Sequence, residues 1–277
     1  MRDEVLEFLR QNQGSFVSGQ DMSEACHVSR TAIWKHIKAL RQKGYKIESY
    51  TKRGYRLLEE PDLLSPLAMK QILKTDVFGK RYVYMDTTES TNLEARRLAQ
   101  QGAEEGTVVV TEEQAAGRGR LSDAGIKWPN DILVNGRKLV GILTEMSGSM
   151  EEISHIVMGI GVNVKTKQEE LPEELKLIAT SLAMEDIDIE RTEAFRLILE
   201  ELEHQYYEVL DSGFDETLNE WRQLSVTLGE EIEVRAPGNT YEGVATDIDE
   251  DGNLLVRISD GTIKRIVAGD VSIRPRK

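Results

Sequence analysis

The sequence predicts a multi-domain protein of the α+β class, because three segments with different secondary-structure patterns follow one another. The first segment has helix patterns that end in a hairpin, the middle alternates buried strands with helices, and the last has short strands alone. A chain of 277 residues is long enough for two or three folding units at roughly 150 residues each. We expect domains at residues 1–62, 66–224 and 225–277.

The composition predicts a soluble globular protein, with 39% hydrophobic and 30% charged residues. Apolar runs fall short of the roughly 18 residues that a membrane helix needs, and the first residues lack the apolar stretch of a signal peptide. The one cysteine, Cys26, excludes an internal disulfide and a cysteine-based zinc cluster, and the four histidines show no ligand spacing. We therefore expect a cytoplasmic protein without a metal site of its own.

The first segment carries a local excess of positive charge on an otherwise acidic chain. The net charge of the whole chain is −14, yet residues 26–58 hold nine basic residues and a single acid, Glu48. Ser29 is a favourable N-cap for a helix that runs to Lys43 and stops at Gly44. Positions i, i+4 and i+7 of this helix form a buried stripe, which consists of Ile33, Ile37 and Leu40.

A shorter helix pattern near residues 20–26 precedes this helix, and a hairpin pattern at residues 45–50 and 55–58 follows it. This order predicts a winged helix–turn–helix, whose second helix enters a major groove and whose hairpin carries cations to the phosphates. The alternative is a small helical protein-interaction domain with a solvated basic face. The basic block and the cationic hairpin favour DNA binding. The predicted DNA contacts are Ser29, Arg30, Thr31, Trp34, Lys35, Lys38, Lys52 and Arg53.

The middle segment contains two motifs suited to a polar or anionic ligand. Ser90, Thr91 and Asn92 open a helix, where hydroxyl and amide groups can hold a polar head group. Thr91 and Glu94 also form a capping box, so capping alone is the alternative. A buried-strand pattern at residues 106–111 then runs into a loop rich in glycine and arginine, which can bring backbone N–H groups and guanidinium groups to a phosphate. A flexible basic surface loop would have the same composition.

Further strand patterns follow in the middle segment. Residues 126–134 and 138–146 flank Asn135-Gly136, a strong signal for a tight hairpin turn. A strand at residues 156–163 contains glycines, which allow a ligand to approach the backbone closely.

The last segment begins with two amphipathic helix patterns, one at residues 195–209 and one around Trp221. Beyond them the pattern changes to short strands with Asp-Gly turns, which predicts a small antiparallel barrel without evident chemistry. The predicted strands of this barrel are residues 232–235, 240–247, 254–259 and 262–267.

Five motifs, in their order between a DNA-binding head and a barrel tail, resemble those of the biotin–protein ligase family in its bifunctional form, which is also the biotin operon repressor. The resemblance covers nearly the whole chain. It implies a central mixed-sheet α/β ligase domain, class II synthetase-like and shortened here, and a C-terminal SH3-like β-barrel. The motifs stand in this sequence as Ser90-Thr91-Asn92, Gln114-x-x-Gly117-Arg118-Gly119-Arg120, Lys127-Trp128-Pro129-Asn130-Asp131, Leu139-Val140-Gly141-Ile142-Leu143 and Gly159-Ile160-Gly161-Val162-Asn163.

The resemblance implies a reaction in two steps. ATP, with Mg²⁺, activates the carboxylate of biotin to biotinyl-5′-adenylate, and the acyl group then passes to a lysine of the biotin carboxyl carrier protein of acetyl-CoA carboxylase. The adenylate would also be the corepressor, favouring a homodimer that places two heads on a palindromic double-stranded operator.

The resemblance also implies roles for the matching residues. Lys127, Arg118 and Arg120 would be catalytic, with the lysine at the reacting carboxylate and α-phosphate and the arginines at the carboxylate and phosphates. Gly141 and Gly159 would give room beside the ligand. The implied biotin-binding residues are Ser90, Thr91, Asn92, Gln114, Gly117, Arg118, Gly119, Arg120, Lys127, Gly141 and Gly159, and the implied nucleotide-binding residues are Arg120, Asn130 and Asn163.

The sequence departs from the family between the glycine-arginine loop and Lys127. Residues 122–125 alone lie between Leu121 and Ile126, where the family has a tryptophan-containing loop end, a central strand and a packed helix. We expect neighbouring strands to re-pair or to keep unpaired backbone groups, and apolar surface to be uncovered. The alternative function is therefore a DNA-binding regulator of the same family with impaired or lost catalysis. A winged-helix transcription factor with an unrelated effector domain would not explain the clustered motifs.

Overall fold

The computed structural model describes residues 2–114, 125–148, 153–236 and 238–273. It divides into two compact units, Met1–Gln71 and Ile72–Lys277. The three-domain division of the sequence, with boundaries at residues 62, 66 and 225, stays a prediction.

The first unit contains three helices, a hairpin and a short fourth helix. The elements are α1 (Arg2–Gln11), α2 (Gly19–Ala25), α3 (Arg30–Gln42), β1 (Lys46–Tyr50), β2 (Gly54–Glu59) and α4 (Pro66–Ile72). Ser29 caps α3 as predicted, since its hydroxyl oxygen accepts from the N–H of Ala32 at 3.2 Å. The predicted stripe of α3 is buried in one core, which comprises Val5, Leu6, Leu9, Val17, Met22, Cys26, Ile33, Ile37, Leu40, Tyr45, Ile47 and Leu57.

The hairpin is fixed to the helices by a close backbone approach. Tyr55 and Val17 exchange two backbone hydrogen bonds of 2.8 and 2.9 Å. Gly54, with φ +97°, lies so close to the carbonyl of Val17 that a Cβ there would collide with it. A glycine is therefore required where the hairpin meets the preceding chain. Two helices followed by this anchored hairpin make the winged helix–turn–helix that the sequence predicts.

The second unit begins with a mixed α/β region. Its elements are β3 (Tyr82–Thr88), α5 (Thr91–Gln100), β4 (Val108–Gln114), β5 (Gly125–Lys127), β6 (Asp131–Val134), β7 (Arg137–Gly148), β8 (Ile153–Val162), α6 (Arg191–Ser212) and α7 (Asp215–Leu224). In the described parts of the chain, β3 and β4 form a parallel pair and β5-β6-β7-β8 form a separate antiparallel sheet. Asn135 and Gly136 make the predicted tight turn, both with positive φ.

One face of the four-stranded sheet is apolar and exposed. Met146 pairs with Ile156 and Thr144 with Met158, so these side chains share a face. Met146, Ile156 and Met158 are 66%, 57% and 52% exposed. The two-part sheet and this bare apolar face agree with the effects expected from the short connection at residues 122–125.

The C-terminal part of the second unit is a five-stranded antiparallel sheet in the order β12-β11-β10-β9-β13. We call this region the barrel. Four strands match the predicted positions, and a fifth, β13, was not predicted. The strands are β9 (Glu231–Ala236), β10 (Asn239–Ile248), β11 (Leu254–Ile258), β12 (Ile263–Ile266) and β13 (Asp270–Ile273). Its core consists of Ile232, Val234, Ala245, Ile248, Leu254, Val256, Ile266 and Val271, together with Trp128 from the central region.

A buried carboxylate fastens α6 to the segment before β3. Glu203 is 8% exposed, and its oxygens accept from the backbone N–H groups of Asp76, Val77 and Phe78 at 2.5, 2.8 and 2.6 Å. Burial by itself raises the pKa of Glu203, but the three backbone donors outweigh it and hold that pKa below its ordinary value. The ionised carboxylate is therefore part of the folded structure.

Candidate functional site

The predicted DNA-contacting residues lie on the surface of the first unit. All eight are exposed, whereas Ile33, Ile37 and Leu40 on the opposite side of α3 are buried. Trp34 is 53% exposed, and the ammonium of Lys38 lies 5.6 Å from the centre of its ring. The exposed side of α3 thus offers cations and one aromatic ring, which suits contact with phosphates and base edges.

The hairpin of β1 and β2, which we call the wing, carries a stacked cluster that the sequence did not reveal. The guanidinium groups of Arg53 and Arg56 lie 4.8 and 4.5 Å from the ring centre of Phe16, and Tyr50 meets the same ring edge-on at 5.5 Å. Arg56 also pairs with Glu48 at 2.6 Å. Phe16 therefore supports Arg53 at the tip of the hairpin. The one sequence signal for this role was an aromatic residue just before the helix–turn–helix.

The N-terminus of α5 holds the first predicted ligand motif. The N-cap is Ser90, whose oxygen accepts from the N–H of Leu93 at 3.4 Å, and Thr91 is the first helical residue. The predicted capping box between Thr91 and Glu94 is therefore wrong, because Glu94 pairs with Arg97 instead. Ser90 caps the helix in place of Thr91 because the chain is still extended there.

The end of β4 lies beside the end of β3, since Gln114 pairs in parallel register with Thr88. Gln114 and the Ser90 motif therefore meet at the carboxyl ends of two parallel strands, where ligands of α/β sheets commonly bind. The side chain of Gln114 and the predicted loop residues Gly117, Arg118, Gly119 and Arg120 lie outside the described residues.

Other predicted residues form a row across the four-stranded sheet. Lys127 pairs with Asp131, Asp131 with Gly141, and Gly141 with Gly161. Directly opposed residues point to the same side, and neighbouring strands are about 4.8 Å apart. Gly159 lies two residues from Gly161 on β8 and so faces the same side. We call this side the Lys127 face.

Helix α5 lies against the Lys127 face. A Cβ at Gly159 would collide with the side-chain amide of Asn92, so the glycine makes room for that side chain. The amide of Asn92 donates to Glu145 at 3.1 Å, and Arg96 pairs with the same carboxylate. The hydrogen bond from Asn92, together with Arg96, lowers the pKa of Glu145. The network thus fixes the start of α5 on the sheet.

Gly141 likewise lies beside a protein side chain. A Cβ there would stand 2.8 Å from the ammonium of Lys138, which pairs with Asp131 at 2.6 Å. The roles of Gly141 and Gly159 beside a ligand stay predictions. No local signal in the sequence distinguishes Arg96, Lys138 or Glu145, because charged residues in strands and helices usually lie in solvent.

The two predicted nucleotide-side asparagines are close to β7. The side-chain amide of Asn130 donates to the carbonyl of Ile142 at 2.6 Å, and the backbone carbonyl of Asn130 accepts from the N–H of Ile142 at 2.9 Å. Asn163 directly follows β8, and its N–H donates to the carbonyl of Leu139 at 3.1 Å. Their contacts with a nucleotide stay predictions.

The described residues contain no group of three or more histidines, cysteines and carboxylates placed to hold a metal ion. Within the same residues, no helix is both long and apolar enough to cross a membrane. Open clefts of about 460 and 470 Å³ lie on the barrel and on the first unit, and none of the predicted site residues that the structure describes lines either of them. The described side chains on the Lys127 face are charged groups of both signs and the amide of Asn92, since Asp131 lies opposite Lys127 and pairs with Lys138.

Three family models match the chain. A model described as an HTH domain matches residues 2–56. The biotin/lipoate A/B protein ligase family matches residues 121–163, and the biotin protein ligase C-terminal domain matches residues 227–274.

The whole chain is similar to curated proteins. It is 34% identical to the bifunctional ligase/repressor BirA of Bacillus spizizenii over 99% of this chain and 98% of that protein. It is 26% identical to the bifunctional ligase/repressor BirA of Escherichia coli over 94% of each chain. The alignment with the Bacillus protein is 321 positions long, so at least 44 of its positions have no counterpart among the 277 residues of this chain.

Solved structures show the same fold. The biotin protein ligase from Aquifex aeolicus superposes with a TM-score of 0.59 at 23% identity, covering 71% of this chain and 99% of that chain. The Aquifex ligase in complex with biotin and ATP gives a TM-score of 0.57 at 23% identity, covering 71% of this chain and all of that chain.

Proposed function

The chain belongs to the bifunctional ligase/repressor family of biotin–protein ligases, and we propose that its active site lies on the Lys127 face. The protein is a biotin–protein ligase with biotin and ATP as substrates, and it is a repressor that binds DNA through its winged helix–turn–helix. The observation that supports the proposed site is geometric. Lys127, Gly141, Gly159 and the amide of Asn92 lie on one side of one sheet.

In the first step of the reaction, a carboxylate oxygen of biotin attacks the α-phosphorus of ATP, and pyrophosphate leaves. We propose that the ammonium of Lys127 stabilises the negative charge that develops between these groups. By their motif positions, Arg118 and Arg120 contribute guanidinium groups to the same phosphates. Mg²⁺ accompanies the nucleotide and needs few protein ligands.

In the second step, the neutral amine of a carrier lysine attacks the acyl carbon of the adenylate and releases a proton as the amide forms, and AMP leaves with the electron pair of the broken C–O bond. The proposed biotin contacts are Ser90, Thr91, Asn92, Gln114, Gly117 and Gly119, and the proposed nucleotide contacts are Asn130 and Asn163. This assignment is supported by the start of α5 and the end of β4, which both lie at the carboxyl ends of the parallel strands β3 and β4.

We propose that the partners of the protein are the biotin carboxyl carrier protein of acetyl-CoA carboxylase and operator DNA. We propose that the adenylate-bound protein is a homodimer, because two heads related by a two-fold axis match a palindromic operator. We also propose that the protein is cytoplasmic, because it has to meet both the carrier protein and the operator DNA. We also propose functional domains at residues 1–62, 66–224 and 225–277.

Specific observations favour a second candidate, a regulator of the same family with impaired ligation. The described parts of the mixed α/β region hold two separate sheets, and Met146, Ile156 and Met158 are exposed on one of them. This chain also lacks residues at some positions of the alignment with the Bacillus relative, which agrees with a divided sheet. A displacement of about 1 Å between reacting groups can lower a rate about 100-fold.

One experiment separates the two candidates. The full chain is incubated with ATP, Mg²⁺, labelled biotin and a biotin carrier domain, and operator binding is measured on the same preparation. Labelled carrier together with operator binding supports the ligase/repressor. Operator binding without label on the carrier, or without adenylate formation, supports the impaired regulator. A preparation that neither labels the carrier nor binds the operator would contradict both candidates.

A further inference from the structure

The chain on both sides of Lys127 is held by the C-terminal part of the protein. The carbonyl of Ile126 accepts from the N–H of Val226 at 3.0 Å, and Ile126 forms a parallel bridge with Ser225. On the other side of Lys127, the N–H of Trp128 donates to the hydroxyl of Thr227 at 3.0 Å. Thr227 is fully buried. The backbone of Lys127 is therefore bracketed by the segment that leads into the barrel.

Trp128 is a core residue of the barrel. It is 4% exposed and packs with the buried residues of the barrel strands. Its indole N–H donates to the carbonyl of Gly252 at 3.0 Å, across 124 positions of the chain. A buried indole with a satisfied N–H is a rigid anchor, because both its packing and its hydrogen bond fix its orientation.

The sheet alone does not hold Lys127 in the same way. Strand β5 is three residues long, and within the described sheet it pairs with β6 alone. Its other edge faces the segment before the barrel so closely that a Cβ on Gly125 would collide with Val226 and stand 2.7 Å from the carbonyl of Leu224. The position of Lys127 therefore depends on the barrel as much as on the sheet.

We propose that the barrel positions the catalytic amine, with Trp128 and Thr227 as the positioning residues that transmit its location to Lys127. This inference rests on the proposed function, because it gives the barrel a part in the same reaction. Neither residue touches a reacting atom in this scheme. Both act by setting where the ammonium of Lys127 stands relative to the sheet.

The chain offers a matched control for Trp128. Trp221 in α7 also packs against the barrel core but is distant in sequence from Lys127. Trp128→Phe keeps an aromatic ring and removes the indole donor, and we expect it to lower kcat for carrier labelling about 10-fold, within the range that misplacement of a catalytic group causes. KM for biotin should stay within about twofold, because α5 is unchanged, and Trp221→Phe should leave kcat within about twofold.

A second pair of variants tests the hydroxyl. Thr227→Val removes the acceptor of the Trp128 N–H with little change in volume, and Thr227→Ser keeps it. We expect Thr227→Val to lower kcat several-fold. We expect Thr227→Ser to retain most of the kcat of the unaltered chain. Equal effects of valine and serine would overturn the proposed contact.

Hydrogen exchange provides a measure that does not need catalysis. Trp128→Phe should speed amide exchange in residues 125–131, and Trp221→Phe should not. If the unaltered chain labels no carrier, the proposed ligase function fails, and the exchange pattern still decides the positioning role. If Trp128→Phe leaves both kcat and exchange unchanged, or if both tryptophan variants change them equally, the inference is wrong.

Discussion

The DNA-binding unit and the four-stranded sheet differ in whether their contacts cross the short connection at residues 122–125. In the first unit, Ser29 caps the helix that it begins, β1 pairs with β2, and Val17 bonds to Tyr55, all before that connection. In the sheet region, Asn92 bonds across it to Glu145, 53 positions away. A shortened connection leaves contacts on one side of it unchanged and rearranges the contacts that cross it. We therefore expect the shortened connection to leave DNA binding by the first unit unchanged and to affect ligation on the Lys127 face.

The largest expected effect tests whether the two regions function independently. Lys127→Gln removes the ammonium of Lys127 and should lower carrier labelling about 100-fold or more, the loss typical when one charge-stabilising donor is removed. Operator affinity measured without biotin and ATP should not change, because no adenylate forms under that condition in either protein. Labelling is measured with radioactive biotin, and operator affinity by fluorescence anisotropy.

Lys264→Gln is the matched control, since it removes a half-buried strand lysine of the barrel that lies outside the Lys127 face. Labelling by this variant should stay within about twofold of the unaltered chain, the range of a surface change away from the site. A Lys127→Gln variant that labels normally would remove the amine from the site.

The next effect concerns stability within the second unit. Glu203→Gln replaces a buried carboxylate that accepts three backbone N–H bonds, and it should cost about 2–3 kcal/mol of unfolding free energy, because hydrogen bonds to charged groups are strong. Urea unfolding followed by tryptophan fluorescence measures the change. Glu208→Gln, an exposed carboxylate on the same helix, is the control and should change stability by less than about 0.5 kcal/mol.

The pH dependence of this contact has a definite sign. The pKa of Glu203 is lower in the folded protein than in the unfolded chain, so its contribution is present above the unfolded value, about 4.3, and disappears as pH falls through the folded value. The difference in stability between Glu203→Gln and the unaltered chain should therefore shrink below about pH 4. A difference that grows as pH falls would contradict the assignment.

The features that the sequence predicts correctly are those whose signal and consequence lie close together in the chain. The cap at Ser29, the Asn135-Gly136 turn and the four barrel strands follow from neighbouring residues. The capping box at Thr91 was wrong because Ser90, one residue earlier, offered a competing cap. Strand β13 was not predicted because it follows Gly269 without an Asp-Gly pair like those that marked other barrel turns.

The candidate site was predictable as a set of motifs but not as an arrangement. Lys127 and Gly141 were selected by resemblance, whereas the row that joins them through Asp131 depends on strand register. The anchoring of Trp128 in the barrel could not be predicted, because no local pattern shows where a tryptophan 124 positions from its partner will be buried. Register and distant burial are properties of the folded chain.

A smaller effect is expected at the wing. Arg53→Ala should weaken operator binding about fivefold and reduce the slope of log affinity against log salt by about 1, as expected for loss of one phosphate contact. Ligation should be unchanged. Filter binding over a series of salt concentrations measures both quantities.

Two further variants sharpen the wing prediction. Phe16→Leu removes the ring on which Arg53 rests and should produce part of the same loss. Lys46→Ala removes one charge from the same unit, where Lys46 pairs with Glu59, and should keep the slope. Equal slopes for Arg53→Ala and the unaltered chain would exclude the wing from the interface.

The smallest expected effect concerns the bare apolar face. Met158 is 52% exposed, so Met158→Thr should change the unfolding free energy by less than about 0.5 kcal/mol, as surface substitutions usually do. The same change should lower binding of an apolar dye, because exposed apolar patches on this scale recruit such ligands. Met69→Thr is the contrasting control, since Met69 is 1% exposed in the helix-rich unit and should cost several times more. If Met158→Thr destabilised the protein as much as Met69→Thr, the face would be covered in solution, and the contrast between an intact head and an uncovered sheet would be wrong.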